Sequence, residues 1–218
     1  MTRERYTLYI GDKNSSSWSL RAWVLMRAAG IDFRERTISL DLPDTPARIR
    51  PVSPSGRVPC LHDGETVIWD SQAIAEYLAE RHRGLWPADA SARAWARCVA
   101  AEMHSGFAAL REEFSMDLGL REPRTPSLKT AADIARIEAV WREGRTRFGH
   151  GGEFLCGAFG IVDAFWCPVA FRFRSYGIVL SDAAEAYGRA LLALPAMREW
   201  DEAAARERDL QPPVGATP

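Results

Sequence analysis

The sequence predicts two structural classes in series, an α/β half followed by an all-helical half. Three observations carry this. Strand and helix periodicities alternate over the first eighty residues, strand signals stop after about residue 82, and beyond that point apolar residues recur only at helical spacing. Within the first half, Tyr6 to Ile10 alternates as a strand, and Gly11 to Ser17 reads as a polar loop. Trp18 to Ala29 is a helix stopped by Gly30, and Phe33 to Ile38 is a second strand. An irregular stretch follows, punctuated by Pro43, Pro46, Pro51, Pro54 and Gly56. Val58 to His62 and Thr66 to Trp69 then flank Asp63-Gly64, a hairpin signal. Ser71 to Arg81 is amphipathic, with Ile74, Tyr77 and Leu78 on one face.

In the second half, Arg83 to Pro87 reads as a linker and Ser91 as the cap of a long helix. Its buried stripe would be Trp95, Val99, Met103, Phe107, Leu110 and Phe114. Pro123 and Pro126 break the chain. Thr130 with Asp133 resembles a capping box before a helix reaching about Phe148. An apolar helix around Asp163 to Phe171 is wrapped by further helical segments ending near Ala205, and Gln211 to Pro218 reads as a loose tail. The expected organisation is therefore residues 1–81, a linker at 82–90, and an all-helical region at 91–218.

Composition excludes several classes. The 218 residues are 47% hydrophobic and 26% charged with a net charge of −1, which gives no bulk electrostatic reason to seek nucleic acid or an anionic membrane. Only Lys13 and Lys129 are lysines; the dispersed arginines read as base composition. Cys60, Cys98, Cys156 and Cys167 match neither a C-x-x-C redox pair nor a zinc set, so no metal is expected. The opening MTRERYTLYIG has no apolar run of signal-peptide length, and Asp163, Gly157, Gly160 and Pro168 interrupt the one stretch apolar enough to suggest a membrane span. Cytoplasmic placement is the expectation.

Two local patterns carry chemistry. Asp70-Ser71 stands at a helix start directly after a strand, where free N–H groups and the helix dipole favour an anion, although both residues are also good N-caps. Asn14-Ser15-Ser16-Ser17-Trp18-Ser19-Leu20-Arg21 puts hydroxyls at the start of the first helix, again either as caps or as hydrogen-bond donors to a ligand. Together with Gly56-Arg-Val-Pro-Cys-Leu61, these blocks resemble the cytosolic glutathione transferase superfamily, of serine type and bacterial character. That resemblance implies a thioredoxin-like α/β domain plus an all-α domain.

It implies further that Pro59 follows a cis bond and that the Val58 backbone pairs with the cysteinyl part of glutathione. Asp70 and Ser71 would bind its γ-glutamyl group. A serine hydroxyl would hold the cosubstrate's thiol as thiolate: lowering a free pKa of ~8.5 by ~2 units asks for roughly 2.7 kcal/mol, within reach of one charged hydrogen bond plus a helix terminus. Ser16, five residues before Arg21, is the first choice and Ser17 the second, while Arg21 would fix the helix start. Ser16 to Arg21 resembles the S-S-C-S-x-R motif of the zeta class, with Trp18 in place of its cysteine.

The implied function is attack of glutathione thiolate on a small electrophile. The alternatives are a glutathione-dependent isomerase or a non-catalytic binding relative. Trp18, Met103, His104 and Phe107 are the candidates for lining the electrophile pocket, and a homodimer is implied by the family alone. Gly157-Ala-Phe-Gly-Ile-Val-Asp163 resembles the family's buried turn, with Gly160 replacing the hydroxyl of its capping box.

Overall fold

The computed structural model describes residues 6–210; the opening Met1 to Arg5 and the tail read as loose, Gln211 to Pro218, lie outside them. β1 (Tyr6–Ile10) buries Tyr6, Leu8 and Ile10 and leaves Thr7 and Tyr9 half-buried, the period-two pattern of a strand with one face on a core. It is an inner strand of a four-stranded sheet of order β2-β1-β3-β4, with β2 at Phe33–Thr37, β3 at Cys60–Asp63 and β4 at Thr66–Ile68. β2 runs parallel to β1, which requires a crossover, and α1 (Ser17–Ala28) supplies it. β3 runs antiparallel to β1, with Leu8 opposite Leu61, and β4 antiparallel to β3, with Leu61 opposite Ile68. The hairpin closes one residue later than Asp63-Gly64 suggests. Asp63 pairs with Thr66, so the loop is Gly64-Glu65, and Gly64 takes the left-handed φ of +59° that glycine tolerates.

The proline-rich stretch contains a short helix that periodicity does not predict, α2 (Thr45–Ile49). The Thr45 hydroxyl donates to the Ser39 carbonyl and accepts from the Leu42 N–H, which closes its first turn. α3 (Ser71–Ala79) buries Ile74 and Leu78 as expected.

Three expectations in the helical half need correction. The long helix is two: α4 (Ala90–Ser105) and α5 (Ala108–Glu113), separated by Gly106 and by Phe107 in the left-handed conformation at φ +58°. Asp89, not Ser91, caps α4 by accepting from the Ala92 N–H at 2.7 Å. The capping-box reading of Thr130 also shifts. Ser127 caps α6 (Leu128–Arg147), while Thr130 is buried and donates to Glu113, and Asp133 accepts from the Leu110 N–H.

α7 (Ile161–Tyr176) buries every residue except Arg174 and packs on α1, α4 and α8 (Asp182–Ala193). One hydrophobic cluster thus runs from Leu8 and Leu25 through Phe165 and Trp166 to Trp200 on α9 (Pro195–Leu210). The apolar stretch around Asp163 is this central helix, and among the described residues no helix is long and apolar enough to cross a membrane. Asp163 accepts from the backbone of Leu155 and Gly160 and from the Tyr187 hydroxyl, so half of the expected capping box forms. Gly160 has no side chain to supply the other half.

Candidate active site

Two adjoining cavities open between the sheet and the helices. One, of about 620 Å³, is walled by Ser16, Ser17, Trp18, Arg57, Val58, Arg111 and Arg172 among others. The other, of about 450 Å³, is walled by Trp18, Arg57, Val58, Pro59, Trp69, Asp70, Ser71 and His104. Trp18, Arg57 and Val58 belong to both, so the two form one cleft with the Trp18 ring at its waist. A larger cavity of about 780 Å³ lies around Trp86 and His150, away from these residues. Met103 is fully buried and Phe107 packs its ring on Trp166 at 5.7 Å. Both stand in the core rather than on the cleft wall: Met103 lies on the buried face of α4, and Phe107 stands at the N-cap of α5 with its ring packed inward.

The serines differ in what their hydroxyls do. Ser16 is the N-cap of α1 by position, but its side chain makes no capping bond; its Oγ donates to Ser19 Oγ at 2.8 Å, which also accepts from the Gly11 N–H. Ser17 is the first residue of α1, and its Oγ accepts from Arg172 Nη2 at 3.3 Å, across from α7. That contact uses an oxygen lone pair and leaves the hydroxyl proton to be donated elsewhere. Both serines are buried.

At the other end, the Val58–Pro59 bond is cis, as the resemblance implies, and so is the Trp69–Asp70 bond. Asp70 Oδ1 caps α3 by accepting from the Gln72 N–H at 2.9 Å, and Oδ2 lies 3.1 Å from His104 Nε2. Burial pushes the His104 pKa down, partly opposed by the Asp70 carboxylate. The Ser71 Oγ is buried with no hydrogen-bond partner among the described residues. A buried, unsatisfied hydroxyl at a helix start, beside a cis-proline strand end, suits an anionic group of a ligand.

Sequence reasoning missed the arginines. Arg21 does not tie down the helix start by hydrogen bonds. It is fully buried with its guanidinium 4.3 Å from the Trp18 ring and 5.0 Å from Phe165, and its three nitrogens have no partner among the described residues. Arg111 lies 4.8 Å from the same tryptophan and donates to the carbonyls of Met103, His104 and Gly106, which end α4. Arg172 donates to the Phe114 carbonyl as well as to Ser17, and burial with Arg111 nearby lowers its pKa to about 10. One signal could have flagged Arg172: it interrupts the apolar run from Ala164 to Phe173, and a charge there is seldom without a task.

Comparison with known proteins bears on this cleft. Residues 15–81 match the family model "Glutathione S-transferase, N-terminal domain". A probable maleylacetoacetate isomerase of Caenorhabditis elegans is 30% identical over 109 residues, which is 49% of this chain and 50% of that protein. Protein IN2-1 homolog A of Oryza sativa subsp. japonica is 27% identical over 72% of this chain and 61% of its own length. The chain thus aligns with only about half to three-fifths of the length of these curated relatives. Among solved structures, a glutathione transferase homolog from Burkholderia gl BGR1 with bound glutathione superposes over 94% of this chain and 99% of its own, with a TM-score of 0.67 and 23% identity. Among the described residues no group of three or more histidine, cysteine, aspartate or glutamate side chains is placed to hold a metal ion. The chain therefore has the glutathione transferase fold, a thioredoxin-like domain followed by an all-α one, and its residues 15–81 carry the glutathione S-transferase N-terminal domain.

Proposed function

We propose that the protein is a glutathione transferase of serine type, with Ser17 holding the cosubstrate's sulfur as thiolate. The observation that carries this is the Arg172 to Ser17 contact at 3.3 Å. A hydroxyl that accepts from a buried guanidinium is polarised towards donation, and a thiolate is the acceptor this site favours. The thiol proton leaves to solvent, the sulfur lone pair forms the new carbon–sulfur bond, and the leaving group departs with the bonding electrons. Asp70 and Ser71 receive the γ-glutamyl end and the Val58 backbone pairs with the cysteinyl unit. Ser16, the first choice from sequence, serves mainly to order the loop through Ser19. A cytoplasmic homodimer acting on a small electrophile follows from the same reading.

A glutathione-dependent isomerisation is the second reading, favoured by the similarity of the N-terminal half to a relative named a probable maleylacetoacetate isomerase. It begins with the same thiolate and ends with release of glutathione rather than a conjugate. The test is titration of bound glutathione by thiolate absorbance in the wild type and in Ser16→Ala and Ser17→Ala. Ser17→Ala is expected to return the thiol pKa towards ~8.5, whereas Ser16→Ala shifts it less. An unshifted thiol in the wild type would leave a non-catalytic binding protein, and an effect confined to Ser16→Ala would transfer the role to that residue.

A further inference from the structure

Successive side chains of a strand point to opposite faces, so Cys60 and His62 of β3 share the face that Leu61 does not use. Leu61 is fully buried, opposite Leu8 and Ile68. Cys60 and His62 converge instead on one backbone oxygen, the carbonyl of Val52. It accepts from His62 Nε2 at 2.7 Å and from the Cys60 thiol at 3.3 Å. A carbonyl only accepts, so His62 carries a proton on Nε2. Burial pushes the Cys60 thiol pKa up, which keeps that group a donor as well. A thiol donates weakly, so the imidazole is the main fastener, and Tyr9 of β1 packs its ring on it at 4.8 Å.

These contacts close a loop. Between Val52 and Cys60 the chain carries Arg57 and Val58, which wall both cavities of the cleft, while His62 stands outside that wall. Inside the loop the hydrogen bonds are local: Ser53 Oγ pairs with Ser55 Oγ at 3.1 Å, and the Gly56 N–H donates to the Ser53 carbonyl at 3.0 Å. Resting on the reading of the site given above, we propose that His62 is a positioning residue for glutathione. It ties the Val52 carbonyl to β3 and so holds the Val58 backbone where the cysteinyl unit pairs. Without the tie the loop samples other arrangements, and affinity falls in proportion to the time Val58 spends out of place. The sulfur is held from α1 by Ser17, a separate element. The tie therefore governs how tightly glutathione binds and not how acidic its thiol becomes.

The experiment measures glutathione affinity by calorimetry, and the pKa of the bound thiol by thiolate absorbance, in the full-length wild type, His62→Leu and His62→Gln. His62→Leu removes the donor and is expected to weaken glutathione about 3- to 10-fold, the range of one hydrogen bond, with the thiol pKa as in the wild type. His62→Gln, whose amide can donate to the same carbonyl, is expected to recover most of that affinity. Unchanged affinity in His62→Leu overturns the proposal. So does a loss that moves the thiol pKa with it, or one that His62→Gln fails to recover, because general damage to the fold has that pattern. Should His62→Leu not fold, the wild type decides by NMR. Its His62 ring proton is expected to exchange slowly, and more slowly still with glutathione bound, since ligand and tie hold the same loop; a ring proton that glutathione leaves unchanged overturns the proposal. A wild type that binds no glutathione removes the reading of the site and this inference with it, whereas undiminished binding in His62→Leu removes this inference alone.

Discussion

At the scale of single residues, Ser71 separates a functional side chain from a structural one. Its hydroxyl is buried without a partner among the described residues, and such a group costs about 1–3 kcal/mol while it stays unsatisfied. Ser71→Ala is therefore expected to leave the melting temperature unchanged or raise it. If the hydroxyl meets the γ-glutamyl carboxylate, the same change should weaken glutathione binding roughly 10- to 100-fold, the worth of a hydrogen bond to a charged group. A loss of stability with no loss of affinity would make Ser71 a structural residue. His104 gives a second measurement. Burial holds its pKa below the ordinary 6.5, and the unfolded chain binds the proton more readily than the folded one. Its contribution to stability is thus present above pH 6.5 and lost as the pH falls through the folded value. An NMR titration should find the His104 midpoint below 6.5, and Asp70→Asn should lower it further, because the carboxylate that opposes the shift is gone while Arg21 and Arg111 remain. A midpoint that rises in Asp70→Asn would contradict this arrangement.

Elements show where pattern reasoning succeeds and where tertiary contact takes over. Strand and helix order was readable because period two and helical spacing are local properties. The split between α4 and α5 was not, since the stripe from Val99 through Met103 and Phe107 to Phe114 stays buried across the break. Gly106 was the visible clue, as a Cβ there would meet the Glu102 carbonyl at 2.8 Å. Caps were misassigned for a related reason: Thr130 and Asp133 have the right spacing, but Glu113 and the Leu110 N–H from α5 engage them. Gly160 makes the conflict testable. Local rules say that serine caps a helix slightly better than glycine, by a few tenths of a kcal/mol. A Cβ at this position, however, would lie 2.7 Å from the Leu85 carbonyl, the acceptor for the Ile161 N–H. Gly160→Ser is expected to destabilise the fold by about 1–3 kcal/mol, the usual cost of overpacking, despite the restored hydroxyl. A stabilised variant in denaturant unfolding would show that this backbone contact yields easily.

On the scale of the whole molecule, the balanced charge of the sequence conceals a local field assembled from distant segments. Ser17 on α1, Arg111 on α5 and Arg172 on α7 meet only because both halves share one core, so no window of sequence could join them. The same coupling fixes the loop that precedes the serines. Trp200 on α9 is fully buried and donates its indole N–H to the Lys13 carbonyl at 2.9 Å, with its ring edge-on to Trp23 at 5.1 Å. Glu207 accepts from the Lys13 N–H at 2.7 Å, and Arg208 donates to the Asn14 side chain at 2.8 Å. The last helix therefore clamps residues 13 and 14, two positions before Ser16. Trp200→Phe keeps an aromatic ring but leaves a buried carbonyl unsatisfied and a small void, together worth about 2–3 kcal/mol. If the clamp positions the serines, hydrogen exchange at residues 13–17 should accelerate more in this variant than exchange in the middle of α7. The pKa of bound glutathione should rise as well, although residue 200 belongs to the other half of the chain. Uniform acceleration across the protein, with an unchanged thiol pKa, would reduce Trp200 to a packing residue and leave the serine loop ordered by its own turn.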